Sequence, residues 1–257
     1  MARSRVGLLG CGSIGGFIAR HVLADSADQA IELSYVFDAD EKKLLEIPQA
    51  CRVTSRTDLF ARRADLVVEA AHADLVKDVA LRLVEHADLL LFSLTALADE
   101  AFRSALEQTA VAHGRKVFLP HGAILGLDGL VDAGPTLKSV TITTTKNPIS
   151  LGLPPEAYKV VFEGPTREAC AKFPRNVNVH AATALAGLGF DRTVSRIVAD
   201  PAVTTNSHVV EAEGSGYRFR IEVSSEAGGK VTGAYTPQSA LSTLQRICRE
   251  KGGLRFA

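Results

Sequence analysis

The sequence predicts an α/β protein: a doubly wound parallel sheet followed by a second α+β domain with a mixed or antiparallel sheet. Three observations predict it. Short apolar runs alternate with helix-period stretches through the first half. A glycine-rich turn, Gly10-Cys11-Gly12-Ser13-Ile14-Gly15, joins the first run to the first helix pattern. Beyond about Pro120 the runs lengthen and set apolar against charged residues, as in a sheet with one covered and one wet face. The expected division is 1–119 for the first domain and 120–236 for the second, with a C-terminal helix in 237–257 packing back on the first.

The first strand, 5–9, enters the glycine turn, and the helix after it carries Phe17, Ile18 and Leu23. A second strand, 31–37, ends on Asp38. Strand, G-x-G-x-x-G, helix, strand and acid together form a Rossmann-type dinucleotide fingerprint rather than a plain glycine turn. Gly10 permits the tight turn, Gly12 lets a pyrophosphate approach the backbone, and Gly15 lets helix and strand pack closely. The helix start at Ser13 and Ile14 offers free N–H groups and partial positive charge to phosphates. Asp38 lies where a carboxylate accepts from the adenosine ribose.

Further strands are expected at 52–54, 66–69, 89–92 and 116–119, with helices at 74–85 and 99–113. Six parallel strands with right-handed crossovers predict the order 3-2-1-4-5-6. The second domain should hold strands at 137–145, 158–163, 194–199, 207–213 and 217–223, covered by helices at 166–173 and 179–188. In the strand at 217–223, Tyr217, Phe219, Ile221 and Val223 alternate with Arg218, Arg220 and Glu222. A last helix, 237–249, carries Leu241, Leu244 and Ile247. There is no repeat or flexible linker, so the two domains are expected to share a cleft.

Composition narrows the function. Lysine plus arginine equals aspartate plus glutamate, 29 against 29, which speaks against a nucleic-acid partner. No stretch is long and apolar enough to span a membrane. The cysteines, Cys11, Cys51, Cys170 and Cys248, form no C-x-x-C pair, so no metal site is expected. Their reduced state and the lack of a signal-peptide pattern fit the cytoplasm.

Ligands bind outside the carboxyl ends of parallel strands. The segments 69–72, 93–99 and 120–129 follow the fourth, fifth and sixth strands and are expected to face the cofactor. His72 reads as a groove-lining helix-start residue in preference to a proton carrier. His121, in a Pro-His-Gly turn, is either a turn residue packed on the cofactor or a functional group. His21, His86 and His113 read as solvated, and His180 as satisfying its neighbours at a helix start. His208 follows Thr204-Thr205-Asn206-Ser207 into a strand and is either a proton carrier near neutral pH or a satisfied structural histidine. Asn178 is either the N-cap of an apolar helix or an amide for a planar carboxamide such as that of nicotinamide. Lys146 is either an exposed lysine or the anchor of a substrate carboxylate.

Together these motifs resemble the L-aspartate dehydrogenase family across essentially the whole chain. The resemblance is carried by the glycine turn, Ala96-Leu97-Ala98-Asp99, Gly122-Ala123-Ile124 with Gly126-Leu127-Asp128-Gly129, Glu163-Gly164-Pro165, Phe173-Pro174 with Asn176-Val177-Asn178-Val179, Ala199-Asp200-Pro201, and Asn206 with His208. It implies oxidation of L-aspartate to iminoaspartate with NAD or NADP. The imine then hydrolyses to oxaloacetate and ammonia or feeds quinolinate and NAD synthesis. The resemblance assigns His208 as the catalytic histidine and Ala123 and Asn178 as cofactor contacts. His121, Lys146 and Asn206 are carried forward as substrate contacts.

Four positions depart from the family pattern. His121 stands where serine is usual, and Thr145 replaces the arginine of an Arg-Lys pair, which removes one expected carboxylate anchor. Asp38-Ala39-Asp40 lacks a following arginine, so a 2′-phosphate would meet only carboxylates, which predicts NAD over NADP. Thr236-Pro237-Gln238-Ser239 replaces Asn-Pro-Lys-Thr-Ser. The alternatives are another imine or carbonyl reductase on the same two-domain plan, or a non-catalytic NAD-binding sensor. A small-molecule substrate and a homodimer are expected.

Overall fold

The computed structural model describes residues 3–24, 30–226 and 233–249. The first sheet holds β1 (Ser4–Leu9), β2 (Ile31–Phe37), β3 (Arg52–Val53), β4 (Leu66–Glu69), β5 (Asp88–Leu91) and β6 (Val117–Phe118). The strands lie in the order β3-β2-β1-β4-β5-β6 and every neighbouring pair is parallel. The order reverses between β1 and β4, which opens a crevice at their carboxyl ends. Four helices make crossovers: α1 (Ser13–Ala24), α2 (Arg56–Ala61), α3 (Ala73–Val84) and α4 (Glu100–Ala112). Their starts are capped locally where the sequence supplies an acceptor: Ser55 takes the Asp58 N–H at 3.1 Å and Asp99 takes the Phe102 N–H at 3.2 Å.

The central strands are apolar on both faces because helices cover both. Alternate residues feed two cores: Val6, Leu8, Val68 and Leu90 on one side, Leu9, Val67, Leu89 and Leu91 on the other.

The second half opens with α5 (Leu127–Ala133), then β7 (Leu137–Lys146), β8 (Lys159–Pro165), α6 (Thr166–Lys172), α7 (Asn178–Ala186), β9 (Val194–Ala199), β10 (Thr205–Gly214), β11 (Arg218–Glu226) and α8 (Tyr235–Cys248). Its sheet has the order β11-β10-β7-β9-β8. Only the β7–β9 pair is parallel, so the sheet is mixed. Helices α5 and α7 cover one face, burying Leu130 against Val140, Ile142 and Val210.

Three elements differ from expectation. The segment 120–129 is not all loop: Gly126, at φ 69°, turns the chain into α5, and Leu130 then has a core to enter. Tyr217 precedes β11, and Phe219, Ile221 and Val223 are only half-buried because β11 is an edge strand. The segment after β5 does not face the cleft along its length. Leu94–Ala98 forms a 3₁₀ turn whose five side chains are all buried.

That turn is where the two halves join. One continuous core unites Leu9, Leu75 and Leu97 with Phe162, Ala181, Phe190 and Ile197. Arg167 of α6 reaches back to the carbonyl of Ala98 while pairing with Asp191 at 2.6 Å. Helix α8 returns to the first sheet, placing Ala240, Leu241 and Leu244 against Val6, Leu8 and Ile18. Among the described residues no helix is long and apolar enough to cross a membrane.

Candidate active site

A cleft of about 870 Å³ runs from the glycine turn to the covered face of the second sheet. Its first wall fits a dinucleotide. Gly10 has φ 93°, and a Cβ there would lie 2.7 Å from the Ala70 carbonyl oxygen. A Cβ on Gly15 would lie 1.9 Å from the Gly10 oxygen, so only glycine lets α1 sit this close to β1. A Cβ on Gly12 would meet no protein atom within 4 Å. Gly12 lines the cleft, and the space its missing side chain leaves is where a pyrophosphate would lie. Ser13 and Ile14 line the same wall at the start of α1.

Asp38 closes the far end. Its carboxylate accepts the Cys11 N–H at 2.8 Å and the Asp40 N–H at 2.9 Å. Burial works to raise its pKa, but these bonds and nearby Lys43 outweigh burial and hold the carboxyl below its ordinary value. Lys43 Nζ lies 3.4 Å from Asp38, and Arg56 lines the cleft with them. The expectation that a 2′-phosphate would meet only carboxylates is therefore corrected: two cations reach this end from 3₁₀ and helical segments further along the chain.

Glu69, which the sequence placed in a cofactor-facing segment without a role of its own, shapes the middle of the groove. Its buried carboxylate accepts the Ala71 N–H at 2.7 Å, the Ser93 N–H at 2.9 Å and the Ser93 hydroxyl at 2.7 Å. Burial pushes its pKa up against the pull of these bonds. Their geometry clamps the two loops that follow β4 and β5. His72 lines the cleft and caps α3, its Nδ1 accepting the Leu75 N–H at 3.2 Å.

Asn178 is not the N-cap of α7. Val177 holds that position without a side-chain bond, and Asn178 is the first helical residue. Its Oδ1 accepts the Thr95 N–H at 3.2 Å, across the join between the halves. Because Oδ1 is committed, the amide NH₂ is the group left to serve the cleft that Asn178 lines.

The second wall follows from strand periodicity. Side chains alternate across a sheet, so Val140, Ile142, Thr144 and Lys146 share the covered face of β7, and Asn206, His208, Val210 and Ala212 that of β10. His208 and Thr144 are register partners. The Thr144 hydroxyl lies 2.8 Å from His208 Nδ1 and 2.7 Å from His180 Nε2 of α7. Burial, then Lys146, pushes His208 down to about 4. Burial, then His208 and Lys146, pushes His180 down to about 3. Both rings are neutral at neutral pH. His180 thus does more than satisfy a helix start, and its buried contact across the domain had no local signal.

Lys146 is only 4% exposed, which overturns the exposed-lysine reading. Burial lowers its pKa, and among the described residues no carboxylate pairs with it. Thr145 points to the opposite face of β7, so the missing arginine removes nothing from the cleft. His121 and Ala123 line the cleft, and His121 Nδ1 is buried without a partner among the described residues. Asn206 is buried on the His208 face but is not among the residues that line the cleft. Among the described residues no group of three or more His, Cys, Asp or Glu side chains is placed to hold a metal.

A dinucleotide cradle facing a buried imidazole across one cleft fits the nicotinamide-dependent dehydrogenases, and this chain is of that class. Comparison narrows it. Residues 10–120 match the family model "Homoserine dehydrogenase, NAD binding domain", and residues 128–247 match "Aspartate dehydrogenase, C-terminal". L-aspartate dehydrogenase of Methanosarcina acetivorans is 34% identical over 95% of this chain and 96% of its own length. That of Nitrosopumilus maritimus is 35% identical over 96% of this chain and 97% of its own. The crystal structure of aspartate dehydrogenase from Thermotoga maritima superposes with a TM-score of 0.80 at 30% identity, covering 99% of this chain and 100% of that one. The chain belongs to the L-aspartate dehydrogenase family.

Proposed function

We propose that this chain catalyses the reversible, NAD(P)-dependent oxidation of L-aspartate to iminoaspartate, which hydrolyses to oxaloacetate and ammonia. One observation carries the substrate reading: Lys146 is a buried cation without a carboxylate partner among the described residues, beside a neutral His208 in the dinucleotide cleft. Burying an unpaired ammonium is costly, and a substrate carboxylate offsets that cost. An acidic amino acid brings two carboxylates, one for Lys146 and one for His121.

A bound nicotinamide ring supplies the acceptor for hydride from the substrate Cα. The Asn178 amide and the backbone at Ala123 orient that ring, and Gly10, Gly12, Ser13, Ile14 and Gly15 hold the pyrophosphate. His208 accepts a proton from the substrate ammonium, which frees the nitrogen lone pair needed for C=N formation. Once that proton has passed to solvent, the neutral ring takes a proton from the water that adds to the imine carbon. An incoming carboxylate raises the histidine's proton affinity, so substrate binding itself prepares the base. Asp38 favours the free ribose of NAD, while Lys43 beside it leaves NADP usable. Residues 1–119 with α8 form the dinucleotide domain and 120–236 the substrate domain. The face of the second sheet opposite α5 and α7, with half-buried Thr141, Thr143 and Val209, is the surface we assign to a homodimer. A cytoplasmic enzyme of this kind would supply an imine to NAD synthesis.

The test mixes the purified protein with NADH, ammonia and oxaloacetate and follows the nicotinamide absorbance, with an ammonia-free control and detection of aspartate. Ammonia-dependent loss of NADH with aspartate formed supports the reading. A positioned acid–base group contributes about 10²–10⁴-fold. His208→Ala should lower kcat by about that factor with NAD affinity nearly unchanged. NADH binding without turnover on any acidic amino acid would move the assignment to a sensor.

A further inference from the structure

We propose that Thr144 and His180 are positioning residues for the chemistry at His208: a single hydroxyl ties the tautomers of the two imidazoles together and so sets whether the cleft nitrogen of His208 is a bare lone pair that can take a proton or an N–H that cannot. The inference rests on the reading of His208 as the proton carrier.

The geometry is specific. Thr144 faces His208 across the β7–β10 pair and His180 from the helix above. All three side chains are buried. A threonine hydroxyl has one proton to donate. Between two neutral rings it therefore donates to one nitrogen and accepts from the other. If His180 Nε2 accepts, His208 carries its proton on Nδ1, and Nε2 is a bare lone pair, the form that removes a proton from a substrate ammonium. If His180 Nε2 donates, the hydroxyl donates to His208 Nδ1, and Nε2 is already an N–H, a form with no lone pair for the substrate's proton. The triad thus sets how much of His208 stands in the base form, without a carboxylate, which would hold the histidine charged; in the reverse direction the donor is the imidazolium that proton uptake leaves.

A second observation points the same way. His180 Nδ1 is buried without a partner among the described residues. An idle buried nitrogen is costly, and an apolar side chain of similar size would fill the space without that cost. The contact that distinguishes His180 from such a side chain is its Nε2 bond to Thr144.

Thr144→Val keeps the shape and removes the hydroxyl, and Thr144→Ser restores it. We expect Thr144→Val to lower kcat about 10²-fold, the low end for a positioned acid–base group, with KM for NAD and aspartate within about threefold. Thr144→Ser should recover most of the loss. Nitrogen NMR of the ¹⁵N-histidine-labelled wild type should show His180 and His208 in the same tautomer, both Nδ1–H or both Nε2–H. The Thr144→Val variant should shift the His208 Nδ1 resonance. Wild-type turnover in Thr144→Val, equal damage in Thr144→Ser, or opposite tautomers in the wild type would each overturn the inference. Unchanged turnover in His208→Ala would instead remove the underlying reading, while the NMR result would still report on the coupling of the two rings.

Discussion

At Lys146 the chain keeps an ammonium buried at the end of a strand, with its pKa lowered by burial and no internal counter-ion among the described residues. Such a group costs stability until an anion arrives. A hydrogen bond to a charged group is worth about 1.5–3 kcal/mol. Lys146→Met should therefore raise KM for aspartate by about 10–100-fold and leave the dissociation constant for NADH within about threefold, as measured by initial rates and fluorescence titration. Unchanged KM would remove Lys146 from the substrate site. The sequence made Lys146 a candidate but could not distinguish a buried lysine from an exposed one, because the strand period that places it inward depends on which face the helices cover. The same period disposes of Thr145. Its departure from the family pattern looked like a lost anchor, yet it lies on the other side of the sheet.

At the scale of elements, the strands 31–37, 66–69 and 194–199 begin and end where the sequence predicts. Helix α5 was illegible because Gly126 and Gly129 read as loop, while its stability comes from Leu130 entering a core built by β7 and β10. The 3₁₀ turn at Leu94–Ala98 was misplaced for a related reason: its apolar residues answer to the other half of the chain. Helix α8 was legible in its apolar stripe, and its docking on α1 follows from that stripe needing cover. Leu244 is fully buried there. A leucine-to-alanine change in such a core costs about 2–5 kcal/mol. Leu244→Ala should lower unfolding stability by that amount in urea titrations, with kcat retained in the folded fraction. A loss below about 1 kcal/mol would mean that α8 is not integral to the dinucleotide domain.

For the whole molecule, the buried histidine pair makes stability depend on pH. In the unfolded chain both rings titrate near 6.5. In the folded chain His208 is held down to about 4 and His180 to about 3. As pH falls below about 6.5 the unfolded state binds protons that the folded state refuses, so stability is lost from there down towards pH 4 and 3. It is fully present above the unfolded pKa. Each proton contributes a slope of about 1.4 kcal/mol per pH unit. His180→Gln should reduce the slope of unfolding free energy between pH 6 and 4 by about one proton, measured by urea unfolding across that range. An unchanged slope would show that His180 titrates normally in the fold.

What the sequence by itself determined is the fold class, the strand order of the first sheet, the dinucleotide cradle and, through family motifs, the singling out of His208. These rest on local signals: a period of two or 3.6, glycine spacing, an acid at the end of a strand. Only the tertiary structure decided that Lys146 is buried, that Asn206 stands off the cleft and that Lys43 joins Asp38. It also decided that Thr144 holds His180 and His208 together from positions 36 and 64 residues away. Those contacts are made by chain segments that meet only when two sheets and the helices between them close on a shared core, and no local pattern in the sequence encodes which side chains will then face each other.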